Sequence, residues 1–258
     1  MFTTIAQVTD LHLDDHMAKN AGIDSRQNAF RILEAIAEKG IENIVLTGDM
    51  GAPHSLGWLL GVIRERKLKP FFVLGNHDEL QDFENIPAVS DFVKPDGLYY
   101  TVTIAGVTCI FLDSSRDEIH KKQCRWLEDE LGAATETVAV FSHFPAIDCG
   151  NTTVDRVHPL RNRENLQNIF VVSGKNISIF CGHYHTTHEQ KKDNIFQYVT
   201  PSTLFQIKQQ SDKIERENDS FGYRLIRLSS TKVDTDVIIY GQQKSNKVSN
   251  KTYYNGRL

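Results

Sequence analysis

The sequence predicts an α/β fold, and three features of it do so. Between residues 2 and 74 short apolar runs alternate with amphipathic helical stretches, the rhythm of parallel strands joined by crossover helices. Two later strand-like runs flank Ala105-Gly106, a hairpin signal, so the pattern there becomes antiparallel or mixed. Several runs also end in Asp, Asn or His, at the strand ends where open α/β sheets carry their sites.

Residues 2–8 read as the first strand and end at Thr9-Asp10-Leu11-His12. A helix over 25–39 follows: Asp24 or Ser25 caps it, Ala29, Ile32, Leu33 and Ile36 form its apolar stripe, and Gly40 stands where a C-cap glycine belongs. The second strand, 43–47, ends at Gly48-Asp49. After a helix over 55–66, the third strand, 70–74, ends at Gly75-Asn76-His77-Asp78, where glycine permits a sharp turn. Strands over 99–103 and 107–113 form the hairpin. A helix through 123–131 leads to a strand over 138–141 that stops before His143. Residues 145–159 read as a loop, 164–170 as a helix, and 177–180 as a strand ending at Gly182-His183-Tyr184-His185. Strands over 195–199, 203–207, 223–228 and 233–240 complete the chain, with 209–220 a charged, mobile surface loop. No repeat or linker divides it. Residues 1–241 are read as a single domain and 242–258 as a polar tail prone to fray.

Composition narrows the function classes. A net charge of −4, with no basic stretch interleaved with aromatics, speaks against nucleic acid as a partner. The four cysteines form no CxxC pair and read as reduced thiols, which places the protein in the cytoplasm. The N-terminus enters a strand pattern directly, without a signal peptide, and no run of eighteen apolar residues predicts a membrane span.

Collected from five strand ends, Asp10, His12, Asp49, Asn76, His77, His143, His183 and His185 converge on one edge. A lone strand-end Asp or His is more often a turn or cap residue than a ligand. The ordered set is different: oxygen and imidazole donors without thiolate suit manganese, iron or zinc. Seven of these eight as ligands would exceed one tetrahedral ion and suit two that share a carboxylate. In Asp10-x-His12 and His183-x-His185, extended backbone would point both side chains the same way.

The series Asp10-x-His12, Gly48-Asp49, Gly75-Asn76-His77-Asp78, His143 and Gly182-His183-x-His185 resembles the calcineurin-like metallophosphoesterase family over residues 2–205. Leu112-Asp113-Ser114, the Gln123-x-x-Trp126-Leu127 helix, Leu160-Arg161-Asn162, Thr200-Pro201-Ser202-Thr203 and Phe221-Gly222-Tyr223-Arg224 are similar to class III cyclic nucleotide phosphodiesterases. Ala52, three residues past Asp49, differs from the Asp or Tyr that protein serine/threonine phosphatases and purple acid phosphatases carry there.

The resemblance implies a four-layer α/β/β/α sandwich of two mixed sheets flanked by helices. It implies one metal held by Asp10, His12, Asp49 and His185, with Asp49 bridging to a second held by Asn76, His143 and His183. His77 is placed beside the leaving-group oxygen, free of metal. Two divalent or mixed-valence ions, manganese, iron or zinc, about 3.5–4 Å apart would acidify a shared water and clamp an in-line displacement. His77 as imidazolium would protonate the departing alkoxide. Asp78 either orients His77 or caps a helix. His54 and His158 lie in loops facing the site and are candidate substrate contacts, as are Arg161 and Asn162; His16, His120 and His188 read as surface residues. The expected substrate is a small phosphodiester, first of all a cyclic nucleotide. Glycerophosphodiesterase, broad phosphomonoesterase and non-catalytic metal-dependent scaffold stand as alternatives, and a homodimer is compatible with the sequence.

Overall fold

The structure is a computed structural model that describes residues 2–150 and 153–242. The tail expected over 242–258 lies outside the described residues from 243 onward.

In chain order the elements are β1 (Thr3–Val8), α1 (His16–Ala21), α2 (Ser25–Glu38), β2 (Asn43–Thr47), α3 (Pro53–Glu65), β3 (Lys69–Val73), β4 (Val93–Lys94), β5 (Gly97–Leu98), β6 (Tyr100–Ile104) and β7 (Val107–Phe111). There follow α4 (Lys121–Ala133), β8 (Thr137–Phe141), α5 (Thr153–Val157), α6 (Arg163–Ser173), β9 (Asn176–Cys181), β10 (His188–Lys192) and β11 (Ile195–Val199). The last four are β12 (Gln206–Ile207), β13 (Arg216–Glu217), β14 (Ser220–Ser229) and β15 (Lys232–Gly241).

Two mixed sheets result. One runs β15-β14-β1-β2-β3, with β1, β2 and β3 parallel; the other runs β10-β11-β9-β8-β7-β6, with its four inner strands parallel. Strand alternation assigns each side chain a layer. On β7 and β8, Cys109, Phe111, Ala139 and Phe141 face the first sheet, whereas Ile110, Val138 and Val140 meet α4 and α6 through Leu127, Leu131, Leu166 and Phe170. Helices α2 and α3 cover the other sheet with Ile32, Leu33, Leu59 and Ile63. The layers are therefore α/β/β/α.

Between the sheets an aromatic ladder crosses five strands in register. Tyr100, Phe111, Phe141, Phe180 and Tyr198 are successive pairing partners whose rings stack at 4.5, 5.0, 5.4 and 5.1 Å. Each ring extends the apolar surface of the next, which fixes the register that brings β7, β8 and β9 to a common edge.

The expected hairpin is present, with Ala105 and Gly106 both at positive φ as a type I′ turn requires. Several elements differ from expectation. The six-residue α1 and the five-residue α5, the latter inside the stretch read as a loop, are too short to show a helical period. Strand β10, His-Glu-Gln-Lys-Lys, is a polar edge strand with no apolar face to betray it. Of 203–207, only Gln206 and Ile207 pair as strand, because the Thr203 N–H donates to Thr9 O at 3.0 Å. The stretch 209–220, read as mobile, is tied down: Ser211 O accepts from Thr153 Oγ1 and Arg156, and Gln209 Nε2 donates to Thr186 Oγ1 at 2.6 Å.

Candidate metal centre

The parallel strands of both sheets deliver β1, β2, β3, β8 and β9 to one edge, and the backbone there leaves the extended region at once. Asp10, His12, Asp49, His183 and His185 all lie at positive φ, between 46° and 66°. Each such residue costs on the order of 1–3 kcal/mol, a concentration typical of functional sites. The idea that i and i+2 point alike in extended backbone is thus corrected: left-handed residues, not a continued strand, aim both members of each pair. Loop 10–13 is laced to loop 48–52 through Asp10 N–H to Gly48 O, His12 N–H to Asp49 O and Leu13 N–H to Met50 O. Approach is close at Gly48, with φ of 96°, where a Cβ would strike His143, and at Gly75, where it would strike the Asp49 carboxylate.

The donor atoms of Asp10, His12 and His185 converge, as do those of Asp10, Asp49 and His143, within 4.8 Å of one another in each group. Asp10 stands in both groups. Asp49 Oδ2 in turn lies between two imidazoles, 3.5 Å from His12 Nε2 and 3.4 Å from His143 Nε2. Asn76 Oδ1 is 3.2 Å from His143 Nε2, and the His183 ring lies 5.0 Å from that of His143.

Each histidine has one nitrogen anchored outside the cluster. His12 Nδ1 meets Asp15 Oδ2 at 2.7 Å, His143 Nδ1 meets Thr47 O at 2.8 Å, His185 Nδ1 meets Phe205 O at 3.1 Å and His183 Nε2 meets His158 O at 3.1 Å. Those oxygens only accept, so the anchored nitrogens carry protons and the others are the ones free to turn a lone pair to a metal, the outer-shell arrangement of metal-binding imidazoles. His12 Nε2 and His185 Nε2 consequently face each other at 3.2 Å. That contact needs a cation between the nitrogens, either a proton or a metal ion, and two nitrogens each about 2.1 Å from one ion stand about this far apart. The donor set fits divalent metal.

The charges agree. Burial opposes ionisation of Asp49, but the His143 and His12 charges hold its carboxylate well below the usual range. Conversely burial disfavours a charged His143, yet Asp49 pulls it up to about 9. Without metal, protons take the place of cations. His183, buried and beside His143, is driven down to about 3 and is neutral.

His77 lies beside the cluster, its ring 5.4 Å from that of His12 and its backbone N–H donating to Asp49 Oδ1 at 3.0 Å. Burial, aided by the His12 and His143 charges, lowers its pKa against the pull of Asp49, so the ring expected as imidazolium tends to neutrality here. Asp78 neither orients that ring nor caps a helix. Its carboxylate accepts three backbone N–H groups, from Asp49 at 2.7 Å, Met50 at 2.9 Å and Gly75 at 2.9 Å, which joins the β2 and β3 ends. The substrate contacts expected of other residues are also redirected. Asn162 clamps Ile119 N–H and O, and Arg161 pairs with Asp117 and Glu118, so both brace the 116–119 loop. His54 is exposed, 3.7 Å from Asp14, and His158 contributes its carbonyl to His183.

Sequence reasoning missed Asp15, whose Oδ1 caps α1 at Met17 and Ala18 while Oδ2 holds His12. An Asp three residues past a ligand and just before a helix was the available signal. His16, read as surface, is exposed, with its ring 6.2 Å from that of His77. A buried polar layer also lies beneath the site. Gln7 Nε2 donates to Thr47 Oγ1 and Cys181 O, Thr200 Oγ1 donates to Gln7 Oε1, and fully buried Arg224 donates to Thr200 Oγ1, Val199 O and Glu189. The polar Gln7 within an apolar strand was its trace. Tyr184, between the two ligands, points away and donates to Asp155. All four cysteines are buried free thiols. Among the described residues no helix is long and apolar enough to cross a membrane.

Comparison with known proteins agrees with this geometry. A model of the calcineurin-like phosphoesterase family matches residues 3–187. A Fibrobacter succinogenes protein named as a probable cyclic nucleotide phosphodiesterase is 30% identical over 207 residues, 79% of this chain and 80% of its own. A 3′,5′-cyclic-nucleotide phosphodiesterase of Nostoc is 22% identical over 241 residues, 87% of each chain. Among solved structures, a dimetal phosphatase from Danio rerio superposes with a TM-score of 0.66 at 12% identity, over 90% of this chain and 98% of its own. The inner-membrane-complex anchor GAP50 of Plasmodium does so at 0.56 and 13% identity, over 95% and 90%. One fold thus serves proteins of quite different description, and the site must carry the function.

Proposed function

The chain belongs to the calcineurin-like phosphoesterase family and is a phosphoric ester hydrolase, and on that footing we propose that it cleaves small phosphodiesters, cyclic nucleotides first among them. The single observation that carries the site is the pair of inward-facing imidazole nitrogens of His12 and His185, 3.2 Å apart beside two carboxylates. Asp10, His12, Asp49 and His185 would hold one ion; Asp49, Asn76, His143 and His183 would hold the other. Manganese, iron and zinc are the metals that this oxygen and imidazole set favours. Bound there, two divalent ions supply an acidified water and offset charge on the phosphoryl group.

The chain's own residues do the rest. With metal bound, Asp15, Thr47, Phe205 and His158 would hold the four imidazoles in the tautomer that presents a lone pair to it. Asp78 fixes the Asn76-His77 turn against the Asp49 loop. His77 donates a proton to the departing alkoxide. An anionic diester beside it favours the charged ring, opposing the burial that lowers its pKa. The names of the curated relatives support cyclic nucleotides as substrates, and four buried free thiols support a reducing compartment, the cytoplasm.

A panel on the Mn²⁺-loaded protein tests this reading: 2′,3′- and 3′,5′-cyclic nucleotides, glycerophosphodiesters and phosphomonoesters. Turnover of cyclic nucleotides above the others is expected. Fast release from monoesters with no cyclic nucleotide turned over would sink it.

A further inference from the structure

A cavity of about 170 Å³ opens beside Asn76, walled by Glu79, Leu80, Asp113, Ser115 and Arg116. It is smaller than the roughly 300–1,000 Å³ of sites that enclose whole drug-sized ligands, so it suits one moiety of a substrate whose reacting end lies elsewhere. Asn76 connects it to the metal centre. A diester seated with its phosphate at that centre would lay its nucleoside part here.

The wall that carries Arg116 is built rigidly. Asp113 accepts Leu98 N–H at 2.8 Å, Ser115 N–H at 3.0 Å and Ser115 Oγ–H at 2.7 Å, and its own N–H and carbonyl are bracketed by the Gln123 amide, both at 2.8 Å. Ser114 Oγ accepts Phe144 N–H at 3.1 Å, and a turn closes with Asp117 N–H on Ser114 O at 2.9 Å. The Asp78 and Asp113 carboxylates are thus occupied by donors of the protein. Among the described residues Arg116 is used only through its carbonyl, which accepts from Arg161. Among the described residues neither its guanidinium nor the Glu79 carboxylate takes part in an ion pair. The Leu-Asp-Ser motif therefore fixes the backbone from which exposed Arg116, a planar charged donor fork, lines the cavity.

Resting on the cyclic-nucleotide reading, we propose that this cavity is the base-binding subsite, that Arg116 determines its specificity, and that it favours guanine over adenine. A guanidinium fork needs two adjacent acceptors. Guanine offers O6 and N7 side by side, whereas adenine pairs N7 with an amino donor that repels the fork. Glu79 supplies the acceptor that the guanine amino group needs.

The test is kcat/KM for 3′,5′-cyclic GMP and 3′,5′-cyclic AMP on the Mn²⁺-loaded protein and on Arg116→Ala, Arg116→Lys and Arg64→Ala. The native protein should favour cyclic GMP by about tenfold or more, the scale of one bidentate contact to a base. Arg116→Ala should abolish that preference through a higher KM for cyclic GMP. Arg116→Lys, which keeps charge but not the fork, should fail to restore it, and exposed Arg64→Ala should leave it intact. Equal use of both nucleotides by the native protein, or a preference that survives in Arg116→Ala, overturns the proposal while the parent reading stands. If the protein cleaves bis(4-nitrophenyl) phosphate but neither cyclic nucleotide, the parent reading fails and this one with it.

Discussion

At the scale of single residues, the site depends on groups that never touch a substrate. Asp15 is the one side chain among the four outer oxygens; the other three, from Thr47, Phe205 and His158, are main-chain carbonyls. Asp15→Asn should weaken metal binding by about 10–100-fold. Asn still caps a helix well, so α1 should persist in circular dichroism while chelator competition reports the loss. His77→Ala should bind metal normally but slow esters with poor leaving groups by about 10²–10⁴-fold, and nitrophenyl esters far less. Equal losses on both ester types would argue against a proton donor. In the metal-free protein His143 holds a proton up to about pH 9, because Asp49 stabilises the charged ring despite burial. Metal must displace that proton. Apparent affinity should therefore rise about tenfold per pH unit below 9 for one proton released, then level off, as titrations from pH 6 to 10 would show. The candidate ligands were legible in the sequence because each Asp, Asn or His follows the end of an apolar run. The role of Asp78 was not, since three backbone N–H groups converge on it from loops far apart in sequence.

Elements were legible in proportion to their periodicity. Helix α2 shows its cap and stripe, with Asp24 accepting from Gln27 N–H and Ile32, Leu33 and Ile36 fully buried. By contrast α1 buries only Met17 and Ala18, and β10 exposes most of its side chains, so neither imprints a pattern. The aromatic ladder was also hidden: Phe111, Phe141 and Phe180 meet only after register is set. Phe141 is fully buried at its centre. Phe141→Ala should cost about 3–5 kcal/mol in chemical denaturation. Exposed Val172→Ser should cost about 0.5 kcal/mol or less.

For the whole molecule, alternation of strands and helices pointed to α/β, but periodicity alone did not count the layers. The four-layer arrangement followed from the family resemblance, and the structure has it because two sheets share one aromatic core while helices cover their outer faces. The C-terminal ends of parallel strands from both sheets then meet on one edge, joining Asp49 of the first to His143 of the second. Metal should accordingly brace the two sheets together. At a free concentration about 1,000 times Kd it should add about 4 kcal/mol to stability, read as a rise in Tm.

The most direct measurement is stepwise loading of the metal-stripped protein with Mn²⁺, with bound metal and cyclic-nucleotide turnover followed on the same sample. Two ions should bind per chain, and turnover should appear as the second site fills. Saturation at a single ion, or two bound ions with no turnover of any phosphodiester, would contradict a dinuclear phosphodiesterase centre.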